Sequence, residues 1–257
     1  MGSPKSFSQK KFLGRKEEIM KIEGRNAVAE ALKSGKTIDR VMVRNGMRDE
    51  PSRNLVSAIK AAGVKVHFVD KITMDGESVT GKDQGFIAFV TEYKYAEIGD
   101  LLIDTKDGAP FIVVLDGVED PHNLGSVIRV CECAGVDGII IGKHRSAAVN
   151  ETVMRISEGS ANHLKIAKVV NVNAAIEFLK KNGVWVYGVE LGGEDIYKSD
   201  LKGPLALVIG GEDTGVNRLT LNKCDKTVTI PMFGKVNSLN ASVACGVAVY
   251  EAVRQRR

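Results

Sequence analysis

From Pro110 onward the chain alternates apolar strands with amphipathic helices, and this constrains its fold more than any other feature. Phe111-Ile-Val-Val-Leu115, Gly138-Ile-Ile-Ile141 and Leu205-Ala-Leu-Val-Ile209 are nearly continuous apolar runs. A strand reads this way when helices cover both faces of a parallel sheet. Further strands are predicted over residues 164–170, 184–189 and 227–230. Helices are predicted over 124–134, 151–162 and 174–182, and a last one opens at Asn240-Ala-Ser242. Gly135 and Gly183 stand where two of these helices should stop. The order implies an α/β fold with a mainly parallel sheet.

Residues 21–95 read as a smaller α/β unit. Helices are expected over 26–32 and 55–62, and strands over 40–44, 64–69 and 85–90. Roughly 75 residues suffice for a modest core. The stretch 96–108 holds Gly99, Asp100, Asp104, Lys106, Asp107 and Gly108 and is expected to be a linker. The larger unit then spans 109–257. Residues 1–20 carry Lys5, Lys10, Lys11, Arg15 and Lys16 and are expected to form a flexible basic arm.

Composition narrows the function. Hydrophobic residues make up 44% of the 257, enough for a buried core. A net charge of +4 permits a nucleic-acid partner. Aromatics at 5% disfavour a surface that grips single strands by stacking alone. No apolar run is long enough to span a membrane, and the first residues lack a signal peptide's apolar segment, so a cytoplasmic location is expected. Cys131, Cys133, Cys224 and Cys245 lack metal-ligand spacing and the four His are scattered, so no metal is expected and buried reduced thiols account for the cysteines better.

The side chains able to do chemistry gather at three strand-to-helix junctions, where parallel sheets bind ligands. The first runs from Asp116 to Arg129. Asn123 can cap the following helix, and Arg129 either forms a structural ion pair or contacts a phosphate, to which its planar fork is suited. The second is Ile209-Gly-Gly-Glu212 with Gly215. Glycines at a strand end let backbone approach a ligand closely, and Glu212 is either a solvated turn carboxylate or a site residue. The third runs from Asn237 to Ser242. Neither Gly-x-Gly-x-x-Gly after a strand nor a Walker loop is present, which argues against hydride transfer and nucleotide hydrolysis.

Asn123 with Arg129, Ile209-Gly-Gly-Glu212 with Gly215, and Ile230-Pro-Met-Phe-Gly234 with Ser238-Leu-Asn240-Ala-Ser242 resemble, in order, the three motifs of the SpoU (TrmH-like) branch of SPOUT RNA methyltransferases. Ile22-Glu-Gly-Arg-Asn-Ala-Val28 and Gln84-Gly-Phe-Ile-Ala88 resemble the L30e-like substrate-binding domain of one subgroup, which includes the 23S rRNA guanosine-2′-O-methyltransferase.

The resemblance implies a trefoil-knotted C-terminal domain, a homodimer, and S-adenosylmethionine as cofactor. It implies ribose 2′-O-methylation of a guanosine in 23S rRNA or a ribosomal precursor; the alternatives are a tRNA guanosine target and a non-catalytic RNA-binding relative. The implied catalytic residues are Arg129, Asn123, Glu212, Ser238 and Asn240, with Asn240 and Ser238 orienting Arg129 and Glu212 fixing Arg129 or Asn123. The implied cofactor contacts are Gly210, Gly211, Ile230, Met232, Leu239, Glu190 and Leu191. RNA contacts are expected from Arg25, Arg40, Arg44 and Arg129, with Arg254, Arg256 and Arg257 as further phosphate neighbours.

Overall fold

The computed structural model describes residues 20–33, 36–90, 93–106, 108–212 and 214–257. The basic arm lies almost wholly outside the described residues. Two compact units divide between Thr91 and Glu92, with residues 35–39 grouped with the second.

The first unit contains β1 (Met20–Glu23), α1 (Arg25–Lys33), β2 (Ile38–Arg44), α2 (Glu50–Ala61), β3 (Lys65–Val69), α3 (Lys71–Glu77) and β4 (Phe86–Val90). Its sheet order is β1-β4-β2-β3. β1 runs antiparallel to β4, and β2 runs parallel to β3. Every residue of β4 is buried, as its run Phe-Ile-Ala-Phe-Val requires. Asp49 caps α2 by accepting from the Ser52 N–H at 3.0 Å, and Asp70 caps α3 through Thr73 at 2.8 Å. The sequence reading omits β1 and α3. Both are short, and β1 is defined by its pairing with β4 rather than by its own pattern.

The second unit contains β5 (Phe111–Asp116), α4 (Pro121–Ala134), β6 (Gly138–Gly142), α5 (Glu151–Ile156), β7 (Lys165–Val169), α6 (Val172–Lys181), β8 (Trp185–Asp195), β9 (Leu205–Gly210), α7 (Arg218–Leu221), β10 (Lys226–Thr229) and α8 (Ala241–Arg256). Six parallel strands form one sheet in the order β10-β8-β9-β5-β6-β7. Strand alternation sorts the core into two layers. Phe111, Val113, Leu115, Leu207 and Ile209 pack with Leu124, Ile128, Cys245 and Val249 of α4 and α8. Ile112, Val114, Ala206 and Val208 pack on the other face with Ile176 and Leu179 of α6.

Several expectations change. The helix expected over 151–162 stops at Ile156, because Glu158 (φ 49°) and Gly159 (φ 81°) take left-handed backbone before a short turn at Ser160–Asn162. The strand expected to end at Val189 continues to Asp195 beside β10. The stretch 96–108 has structure of its own: Ala96 bridges to Ala167, and Ile98–Leu102 is a 3-10 helix with Leu101 fully buried. Gly138 makes room for it, since a Cβ there would lie 2.4 Å from Leu101 Cγ. All four cysteines are free, but only Cys131 and Cys245 are buried, while Cys133 is exposed. Burial pushes the Cys131 thiol up, and burial with the nearby Asp225 charge pushes Cys224 up to about 12.

Candidate active site

β9 lies between β5 and β8, so the chain departs from β5 toward β6 on one side and receives β9 on the other. The crevice at the carboxyl ends of such neighbouring strands is where parallel α/β sheets bind ligands. Asp116 and Gly210 are register partners there. The loops that follow are locked together: the Gly211 N–H donates to the Asp116 carbonyl at 2.9 Å, and the Asn217 N–H to Asp116 Oδ2 at 2.9 Å. This closeness requires the paired glycines. A Cβ on Gly210 would sit 2.0 Å from the Gly215 carbonyl carbon, and one on Gly211 would sit 2.1 Å from the Gly117 oxygen.

Three polar side chains from the three junctions meet at this edge. Asn123 Nδ2 donates to Glu212 Oε1 at 2.7 Å. Asn240 Nδ2 donates to the same oxygen at 2.5 Å and to Asn123 Oδ1 at 2.9 Å. Asn240 is also the N-cap of α8, accepting from the Ser242 and Val243 N–H groups. Its carbonyl is thus spent on the helix while its amide joins the cluster. Asn123 does not cap α4. Asp120 does, accepting from the His122 and Asn123 N–H groups with Pro121 at the first helical position, so Asn123 sits one turn inside, buried. Glu212 therefore holds Asn123 and Asn240 rather than Arg129.

Arg129 projects from α4 and pairs with Glu158 at 2.8 Å, both side chains being more than half exposed. The pair is solvated and contributes little to stability, so the guanidinium is free to exchange partners. Ser238 makes no side-chain hydrogen bond among the described residues and lines the adjoining cavity.

That cavity, about 300 Å³, is lined by Gly210, Gly211, Glu212, Ile230, Met232, Ser238, Leu239, Glu190 and Leu191, together with Ile209, Thr214 and Asn237. All seven positions expected to hold the cofactor are among these. Glu190 is tied down by the Val216 N–H at 2.8 Å and its neighbour Leu191 at 2.9 Å. The lining carries two carboxylates and, among the described residues, no cationic side chain, which suits a positively charged ligand with an apolar body. No group of three or more metal-ligating side chains occurs among the described residues.

The remaining expected residues have partners of their own, those of the smaller unit within that unit. Arg25 pairs with Asp49 at 3.0 Å, Arg40 stacks over the Phe89 ring at 4.1 Å, and Arg44 contacts the Met47 sulfur at 3.7 Å. At the C-terminus, Arg254 is held by Glu251, and Arg256 by the Gly203 and Ala109 carbonyls. Those carbonyls precede β9 and β5, at the opposite end of the sheet from Gly210. Strands of this length separate the two ends by roughly 20 Å, so Arg254 and Arg256 are not neighbours of the site.

The profile of the SpoU rRNA methylase family matches residues 110–250, the span that carries all three junctions. The chain belongs to this family. A second SpoU-associated profile, RNA 2′-O ribose methyltransferase substrate binding, matches residues 21–96. Among SpoU relatives, the 23S rRNA (guanosine-2′-O-)-methyltransferase RlmB of Ralstonia nicotianae is 40% identical over 91% of this chain and 94% of its own. YacO of Bacillus subtilis, whose name assigns it to the TrmH family of tRNA/rRNA methyltransferases, is 39% identical over 91% and 95%. The AdoMet-bound rRNA methyltransferase of Sinorhizobium meliloti is 26% identical with a TM-score of 0.58, over 91% of this chain and 86% of that one. The SpoU methyltransferase AviRb of Streptomyces viridochromogenes shares the fold at 22% identity, TM-score 0.59, over 92% and 90%.

Asp116 and Glu158 escape the sequence reading. Asp116 is read only as the first residue of the first junction, with no role of its own, and Glu158 as the interior of an expected helix. Only the loop geometry after β5 and the left-handed turn at Glu158 give them partners.

Proposed function

We propose that the chain methylates a ribose 2′-oxygen of RNA using S-adenosylmethionine, and that its target is a guanosine of 23S rRNA. The observation that carries this reading is the Asn123–Glu212–Asn240 cluster beside a carboxylate-bearing cavity at the carboxyl edge of the sheet. The 40% identity to a 23S rRNA guanosine methyltransferase supports the finer target.

Gly210, Gly211, Ile230, Met232, Leu239, Glu190 and Leu191, which line the cavity, would hold the cofactor. When bound, it supplies a methyl group already activated on a cationic sulfonium, so the difficult chemistry resides in the cofactor. Glu212 fixes Asn123 and Asn240, and with them the entry to α8. Ser238 faces the cavity from the same loop. Arg129 exchanges Glu158 for an RNA phosphate and polarises the 2′-hydroxyl; a guanidinium is too weak a base to accept the proton itself. The protein's work is therefore positioning, with the hydroxyl proton passing to solvent water after transfer. Arg25, Arg40 and Arg44 are proposed to meet RNA on the smaller unit. The knotted path, a homodimer and a cytoplasmic location belong to the same reading.

The test is tritiated methyl transfer from S-adenosylmethionine to unmodified 23S rRNA and to unmodified tRNA, with the product mapped by resistance to alkaline cleavage. One protected guanosine linkage in 23S rRNA is expected. Label in tRNA alone keeps the chemistry and overturns the target. No label in either, with no cofactor binding, leaves a non-catalytic RNA-binding protein.

A further inference from the structure

On the smaller unit a second cavity, about 310 Å³, opens between the end of β2, the first turns of α2 and β3. Its lining includes Arg44, Met47, Ser52, Arg53, Ser57 and Phe68, and no acidic side chain among the described residues. Phe68 is the register partner of Val43, so both side chains stand on one face of the sheet. Val43 is 1% exposed, but Phe68, on the edge strand, is 54% exposed. A single exposed Phe is ordinary. The groups around this one are not: the Lys60 ammonium lies 5.8 Å from its ring centroid, and Arg44 Nη2 meets, among the described residues, only the weakly accepting Met47 sulfur at 3.7 Å. Ser52, in the first turn of α2, is buried, and both its N–H and its hydroxyl face the Asp49 carboxylate, which holds that carboxyl below its usual range.

We infer that this cavity takes one unstacked base from a single-stranded segment of the RNA substrate. The inference rests on the RNA-modifying reading above and adds a specificity site to it. Phe68 offers a stacking face, which every base can use. Arg44 and Arg53 meet the flanking phosphates, which only charge complementarity requires. Ser57, exposed at the cavity, brings a hydroxyl to the base edge. A cavity of this size suits one base rather than a helix.

The experiment uses the full chain and fluorescence anisotropy with two ten-nucleotide oligoribonucleotides of equal charge, one of mixed sequence and one with abasic residues. The base-bearing strand is expected to bind roughly fivefold or more tightly, from stacking and edge contacts. Phe68→Ala should erase the difference and Phe68→Trp should preserve it. Arg44→Ala combined with Arg53→Ala should weaken both strands alike and flatten the salt dependence. Equal binding of the two strands, binding of neither, or a difference that survives Phe68→Ala overturns the inference. Calorimetry with S-adenosylmethionine on the same preparations reports separately on the enzymatic reading and on the folding of the second unit. Cofactor binding without base preference sinks the cavity alone; base preference without cofactor binding sinks the methyltransferase reading alone.

Discussion

Asn123 and Glu212 stand 89 residues apart in sequence, yet Asn123 Nδ2 reaches Glu212 Oε1 at 2.7 Å. With Asn240 on the same oxygen, one carboxylate ties the ends of β5, β9 and β10 into a single constellation. A charged acceptor shared by two amides is a strong and directional clamp.

Removing that clamp should cost stability and binding separately. Glu212→Ala leaves the buried Asn123 amide without its acceptor, a loss of about 1–3 kcal/mol. The lower end is expected because Glu212 itself faces solvent. Glu212→Gln keeps an acceptor oxygen and should recover most of that stability, while loss of the charge should still weaken S-adenosylmethionine binding. Thermal unfolding and calorimetry on the two variants separate these effects.

Arg129 should matter to turnover and not to the cofactor. It lies outside the cavity lining and pairs with Glu158 on the surface. Arg129→Ala is expected to abolish methyl transfer while cofactor affinity stays near normal, and Arg129→Lys should not rescue, because an ammonium lacks the planar fork. A parallel fall in calorimetric affinity would remove Arg129 from the assigned role.

A methyl group at Gly210 has nowhere to go. Its Cβ would lie 2.0 Å from backbone of Gly215, which cannot rotate aside as a side chain can. Gly210→Ala should lower stability by about 1–3 kcal/mol or more and close the cavity to S-adenosylmethionine. Gly234→Ala, where nothing lies within 4 Å, is the control and should be nearly silent.

The smaller unit should lose stability in acid through Glu23. Burial opposes its ionisation, but hydrogen bonds from Thr80, Val79 and Ser78 prevail and hold its carboxyl down at about 2, against 4.5 unperturbed. Because the folded value is depressed, the stabilisation is present above about pH 4.5 and is lost as pH falls toward 2. Urea unfolding followed between those limits should show a steeper decline in the native chain than in Glu23→Gln.

The strand order was not legible in the chain, although most strands were. Phe111-Ile-Val-Val-Leu115 and Leu205-Ala-Leu-Val-Ile209 announce burial on both faces, but nothing local in them says that they are neighbours. The motif residues were legible as types at junctions, and the cavity gathers all seven expected cofactor positions. Their partners were not. An Asn three residues into a helix looks like a cap in sequence, and Asp120-Pro121 takes that task in the fold.

Local patterns thus determined the α/β class, the two units and the positions where chemistry could concentrate, because periodicity and turn residues act over a few residues. Tertiary structure alone decided that Glu212 holds Asn123 and Asn240, that Arg129 faces Glu158, and that Phe68 stands exposed on its edge strand. Each of these depends on which strand ends become neighbours, and that is set by packing across the whole sheet.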